Sequence, residues 1–144
     1  MPQNPRILFI EDHEDTRDLI TLVLEHEKYQ VTSAGTLEGA LKAAAARKFD
    51  LFLLDTCLPD GSGFELCERL REFDSATPVL FYSGAAYDSD KLKAIRAGAQ
   101  GYLVKPCSFA ELLQTVATLI VHVRRPHLVK QYIKKPKQRD CYQS

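Results

Sequence analysis

Five polar residues stand directly after short apolar runs, and their types suit one chemistry. Glu11 and Asp12 follow Arg6-Ile-Leu-Phe-Ile10, Asp55 follows Leu51-Phe-Leu-Leu54, Ser83 follows Val79-Leu-Phe-Tyr82, and Lys105 follows Gly101-Tyr-Leu-Val104. Three carboxylates gathered together repel one another unless a cation joins them. Hard carboxylate oxygens suit Mg2+, which keeps several waters and takes few protein ligands. A phosphoryl group beside such an ion needs further positive charge and donors on its other oxygens, which Lys105 and Ser83 supply. Asp55 can act as a carboxylate nucleophile and form an acyl phosphate. The chemistry that fits is phosphoryl transfer onto Asp55. Each residue alone has a plainer reading: Asp12 as a helix cap, Asp55 as a turn residue before Pro59 and Gly61, Ser83 and Lys105 as surface groups. Their shared position at the ends of successive runs is what singles them out.

That position depends on the elements around them. Each apolar run is too short for a helix and suits a strand buried on both faces. Between the runs lie amphipathic helical patterns. Leu19, Ile20, Val23 and Leu24 mark a helix over about 15–27, followed by a strand from Tyr29 to Ala34. Thr36 is the expected N-cap of an alanine-rich helix, and Phe64, Cys67 and Leu70 mark a third helix after the Pro59–Gly63 turn. A fourth runs from Asp90 to Ala97 and stops at Gly98. Ser108 and Glu111 form a capping box for a fifth, whose apolar face is Phe109, Leu112, Leu113, Val116, Ile120 and Val123. Strand and helix thus alternate five times, which predicts a parallel sheet covered by helices on both faces. In such sheets the carboxyl ends of the strands are where ligands bind.

Composition narrows the class. At 144 residues the chain holds one domain with a sizeable core. Residues 1–123 carry 12 basic and 18 acidic side chains, and the remaining residues carry 7 basic and one acidic, so the last stretch differs in character. Cys57, Cys67, Cys107 and Cys141 show no paired or metal-ligand spacing, which reads as free thiols in a reducing compartment. No run approaches the ~20 apolar residues that span a membrane, so a cytoplasmic location and no membrane partner are expected.

The stretches Ile7-Leu-Phe-Ile-Glu-Asp12, Leu53-Leu-Asp-Thr-Cys-Leu-Pro-Asp-Gly61, Phe81-Tyr-Ser-Gly-Ala85 and Gly98-Ala-Gln-Gly-Tyr-Leu-Val-Lys-Pro106 resemble the receiver domain of bacterial response regulators, over about residues 5–124. The resemblance implies a flavodoxin-like doubly wound (βα)5 fold with a parallel five-stranded sheet in the order 2-1-3-4-5. It implies that Asp55 is the phosphoacceptor of a two-component phosphorelay, served by a sensor histidine kinase or phosphotransfer protein. Mg2+ would be held by Asp12, Asp55, the Cys57 backbone carbonyl and, largely through water, Glu11. Ser83 and Lys105 would bind phosphoryl oxygens, and Ser83 with Tyr102 would form the switch. The Lys105-Pro106 bond would be cis. Phosphorylation would repack the face formed by the fourth helix, fifth strand and fifth helix, which would bind a downstream protein or a second copy of the chain. The module would catalyse only its own phosphorylation and dephosphorylation, so it is not an enzyme in the usual sense.

Departures from the family pattern are mild. Glu11 replaces an aspartate, Ser83 replaces the more frequent threonine, and Cys57 is a less usual residue at a position that, with Ala85, influences acyl-phosphate lifetime. The domain is expected at 1–124. Residues 125–144 are expected as a basic C-terminal tail or linker with no output domain, and nucleic-acid binding is not expected within this chain. Three alternatives compete. A pseudo-receiver would bind partners without phosphorylation, but every key residue is present. A phosphatase of the haloacid dehalogenase type expects a second aspartate where Cys57 stands. A flavodoxin wants a hydroxyl- or glycine-rich loop where Glu11 and Asp12 stand.

Overall fold

The computed structural model describes residues 4–124. Strands β1 (Arg6–Ile10), β2 (Gln30–Ala34) and β3 (Leu51–Leu54) are joined through helices α1 (Glu14–His26) and α2 (Leu37–Ala46). A two-stranded ribbon follows, β4 (Cys57–Leu58) and β5 (Gly61–Ser62), leading into α3 (Gly63–Arg71). Then come β6 (Val79–Ser83), α4 (Asp88–Ala97), β7 (Gly101–Val104) and α5 (Phe109–Arg124). The large sheet has the order β2-β1-β3-β6-β7, all parallel. Counted over its own five strands this is 2-1-3-4-5, the flavodoxin-like order that the resemblance implies.

The order reverses between β1 and β3, whose carboxyl ends carry Glu11, Asp12 and Asp55. All residues of β3 and β6 are buried, as their unbroken apolar runs require for central strands. β2 is an edge strand and reads accordingly, with Gln30 and Ser33 exposed. One face of the sheet packs α2, α3 and α4 around Leu8, Phe52, Leu54, Phe81, Leu66 and Leu70. The other packs α1 and α5 around Phe9, Leu53, Leu80, Ile20, Leu112 and Val116. Two independent cores therefore clamp the central strands, and their ends inherit that rigidity.

Local signals account for most boundaries. Thr36 Oγ1 accepts from Gly39 N–H at 3.0 Å, Ser62 caps α3 in the same way, and Ser108 Oγ accepts from Glu111 N–H at 3.0 Å. Gly98 ends α4 with φ 110°, a left-handed conformation that glycine adopts at no steric cost. The α4 helix begins two residues earlier than its apolar periodicity suggests, because Asp90 Oδ2 accepts from Tyr87 N–H at 3.1 Å. The β4-β5 ribbon is an addition to the expected Pro59–Gly63 turn: its two-residue Pro59-Asp60 loop is tight enough for Cys57 and Leu58 to pair with Ser62 and Gly61. The Val123 side chain, Cys141 and the basic tail lie outside what is described.

Candidate functional site

The carboxyl ends of the strands bring the expected residues together. Each of Glu11, Asp12 and Asp55 offers a carboxylate oxygen, and these atoms lie within 4.8 Å of one another. Lys105 Nζ donates to Glu11 Oε1 at 2.6 Å and to Asp55 Oδ2 at 3.3 Å. The Lys105-Pro106 bond that follows β7 is cis, as expected.

The three acids are not equivalent. Glu11 is only 1% exposed and Asp55 9%, whereas Asp12 faces solvent. Burial pushes the Glu11 carboxyl above its ordinary pKa; the Asp55 charge adds to this, and the Lys105 hydrogen bond opposes it. Burial works against the Lys105 ammonium too, but the hydrogen bond to Glu11 and the charges of Asp55 and Glu11 outweigh it and raise its pKa. Lys105 therefore stays charged. One ammonium faces two largely buried carboxylates and a third at the rim, an arrangement short of positive charge. Its hard oxygen donors fit a divalent cation of the Mg2+ type.

The chain around Asp55 is tightly held. Thr56 N–H donates to Asp55 Oδ1 at 2.6 Å, and Gly63 N–H donates to the Thr56 carbonyl at 2.8 Å. A Cβ on Gly63 would stand 1.9 Å from the Asp55 carbonyl oxygen, so only glycine permits the ribbon to close over Asp55. Asp60, at the ribbon's tip, accepts from Leu37 N–H at 2.7 Å and Glu38 N–H at 3.0 Å. These two backbone bonds hold its carboxyl below the usual range. The ribbon that carries Cys57 is thereby tethered to the N-terminus of α2.

Ser83 is buried and accepts from Ala85 N–H at 3.1 Å; its Oγ is also 2.6 Å from Thr56 Oγ1. Tyr102, whose ring stacks on Phe81 with centroids 5.8 Å apart, donates its hydroxyl to the Ala85 carbonyl at 2.6 Å. Cys57 is exposed beside Asp55, while burial and the Glu111 charge push the Cys107 thiol up, away from the reactive thiolate. Spacing singled out neither Thr56, Gly63 nor Asp60. Asp60 and Gly63 read as ordinary turn residues, and the Thr56 contact spans 27 positions.

A parallel doubly wound domain with an acidic pocket, a lysine and a buried hydroxyl at its switch point is a small and well-defined class. The response regulator receiver domain profile matches residues 7–117, and the chain belongs to that family. It is 42% identical over 119 residues to the KDP operon transcriptional regulatory protein KdpE of Escherichia coli, covering 83% of this chain and 51% of that protein. It is 35% identical over 130 residues to the transcriptional regulatory protein YvrH of Bacillus subtilis, covering 90% and 53% respectively. The chain thus spans about half the length of these curated relatives. Among solved structures, a CheY-like receiver domain protein from Methanospirillum hungatei superposes with a TM-score of 0.83 at 27% identity, over 86% of this chain and 99% of that one. The receiver domain of the sensor histidine kinase PA1611 from Pseudomonas aeruginosa, with magnesium in its active-site cleft, gives 0.76 at 26% identity, over 81% and 98%. Among the described residues, no helix is long and apolar enough to cross a membrane.

Proposed function

We propose that Asp55 is the phosphoacceptor of this receiver domain, fed by a sensor histidine kinase or phosphotransfer protein. The observation that carries this reading is the Lys105 ammonium set between Glu11 and Asp55 inside a three-carboxylate pocket. An Asp55 carboxylate oxygen attacks phosphorus. The new O–P bond forms as the bond to the donor atom breaks, and the donor leaves with that electron pair. Lys105 offsets charge on the transferred phosphoryl oxygens and Ser83 donates its hydroxyl to one of them. Glu11, Asp12, Asp55 and the Cys57 carbonyl would hold Mg2+. Bound there, the ion supplies the positive charge that the pocket lacks. Return to the carboxylate is attack of water on the same phosphorus, so the domain processes only its own phosphoryl group.

The output follows from Tyr102 and Ser83 as the switch. The face of α4, β7 and α5 repacks and binds a downstream protein or a second copy of the chain. Leu92 and Ile95 on α4 are exposed apolar residues of the kind such a partner covers. The domain occupies 1–124, and 125–144 act as a basic tail or linker. The location is cytoplasmic, and neither membrane nor nucleic acid is a partner of this segment.

Acetyl phosphate with Mg2+ tests the assignment. Intact-mass measurement is expected to show one added phosphoryl group on the parent chain and none on Asp55→Asn. Equal labelling of the two overturns it, and a parent that neither labels nor binds Mg2+ favours a phosphorylation-independent binding module.

A further inference from the structure

We propose that the Thr56 side chain is a positioning residue that holds Ser83 for the phosphoryl group and links the Asp55 rim to Tyr102. The proposal rests on the phosphoacceptor reading of Asp55. Thr56 and Ser83 are buried, 4% and 1% exposed, and their hydroxyl oxygens are 2.6 Å apart. A hydroxyl carries one proton and two lone pairs. One lone pair of Ser83 is taken by Ala85 N–H at 3.1 Å. An incoming phosphoryl oxygen needs the Ser83 proton. When Thr56 donates into the second lone pair of Ser83, that proton points away from Thr56 and is shared between the nearby Tyr102 hydroxyl oxygen and the incoming anion. Among the described residues the Thr56 hydroxyl has one other acceptor within reach, Cys57 Sγ at 4.0 Å, a weak one, so Ser83 is the favoured partner. With Thr56 donating to Ser83, the Ser83 proton is directed to the anion, and each bond polarises the next.

The same two residues join the site to a distant surface. Thr56 is fixed to the acceptor through its backbone, since its N–H donates to Asp55 Oδ1 at 2.6 Å. Ser83 is fixed to Ala85, and the Ala85 carbonyl accepts the Tyr102 hydroxyl at 2.6 Å. Tyr102 in turn lines a cavity of about 150 Å3 with Lys91, Ile95 and Gly101. Asp55, Thr56, Ser83, Ala85 and Tyr102 form one continuous chain of short bonds, and the Thr56 hydroxyl is its single side-chain link between β3 and β6. Valine at position 56 keeps the shape of this residue and removes the link.

The test is calorimetric titration of the full chain with BeF3− in Mg2+, on the parent, Thr56→Val, Thr56→Ser, Ser83→Ala and the Thr56→Val/Ser83→Ala double variant. Thr56→Val is expected to weaken binding about fivefold, and Thr56→Ser to stay within about twofold of the parent, as loss of one buried neutral hydrogen bond implies. In the Ser83→Ala background Thr56→Val is expected to change nothing further, which a merely structural role would not produce. Tyr102 ring resonances, assigned with Tyr102→Phe, are expected to shift in Thr56→Val before any BeF3− is added. They also decide the matter if Ser83→Ala binds too weakly to titrate, and Thr56→Ala replaces the valine variant if the latter does not fold. Thr56→Val binding as tightly as the parent or tighter, an equal loss in both backgrounds, or unshifted Tyr102 resonances would each overturn the link. A parent that binds no BeF3− overturns the phosphoacceptor reading instead.

Discussion

At the amino-terminal edge of the sheet the Arg71 guanidinium donates to the carbonyls of Gly98, Asp74 and Thr77 and to Gln100 Oε1, at 2.7–3.1 Å. At the carboxyl edge Lys105 is the one ammonium between Glu11 and Asp55. Both ends gather polar groups, but with opposite balance. Around Arg71 nearly every donor has an acceptor, and Gln100 Oε1 accepts from Val79 N–H as well. Asp74 belongs to the same end. Burial opposes its charge, but the Thr77 N–H and hydroxyl and the Ala76 N–H prevail and hold its carboxyl below the usual range. Around Lys105 negative charge exceeds positive, and Glu11 is pushed above its range. The satisfied end ties α3 to the α4–β7 turn and contributes stability. The other end carries an excess of negative charge, the kind of imbalance found at functional sites rather than structural ones.

The comparison can be broken from either side. The largest expected effect is Arg71→Met, which leaves several carbonyls without donors and should cost roughly 3 kcal/mol in urea unfolding. Labelling of Asp55 by acetyl phosphate should persist in conditions where the variant is folded. Loss of labelling in the folded variant would show that the two ends are not separable. Gly63→Ala should cost a similar or slightly smaller amount, ~2–3 kcal/mol, because its Cβ cannot coexist with the Asp55 carbonyl. Unlike Arg71→Met it should also slow labelling, since relief requires the ribbon to move away from the acceptor.

Lys105→Met should cost about 2 kcal/mol at neutral pH by leaving two carboxylates uncompensated. That cost should shrink as pH falls, because Glu11, raised above its ordinary range, takes up a proton before ordinary carboxylates do. An undiminished cost at low pH would mean that Lys105 acts through packing instead. The smallest effect is the sign of the pH dependence, measured in EDTA by urea unfolding of Glu11→Gln and Asp74→Asn against the parent. A carboxyl raised in the folded state binds its proton more tightly there, so the Glu11 contribution falls as pH rises above the ordinary carboxylate range. A carboxyl lowered in the folded state contributes stability that is present at neutral pH and lost as pH falls through its folded value, as for Asp74. The two variants should therefore tilt the stability curve in opposite directions. Parallel tilts would remove the distinction between the ends.

Much of this was legible in the chain. The runs ending at Ile10, Leu54 and Val104 and the run that reaches Ser83 mark strands because buried parallel strands need unbroken apolar residues. Turn and capping residues mark their limits because those preferences act over three or four positions. Alternation of strand and helix then fixes a parallel sheet, and a parallel sheet puts every strand's end at one edge. Glu11, Asp12, Asp55, Ser83 and Lys105 could thus be gathered from sequence alone, as could the cis bond before Pro106 once the resemblance was drawn. Arg71, by contrast, carried no sequence signal beyond helical spacing with Phe64, Cys67 and Leu70. Its acceptors at Gly98 and Gln100 lie 27 and 29 positions away. Asp60 read as a turn residue, although its carboxylate serves the start of α2, 23 positions earlier.

The sequence by itself determined which residues could do chemistry and the edge at which they meet, because residue type and local periodicity are written in order along the chain. Only the tertiary structure decided how they divide the work. Burial set Glu11 and Asp55 together against Lys105 and left Asp12 at the rim. Close approach made Gly63 indispensable over Asp55. The packing of β3 beside β6 set the Thr56 hydroxyl against Ser83. These depend on distances across the sheet between residues far apart in the chain, and no local pattern carries that information.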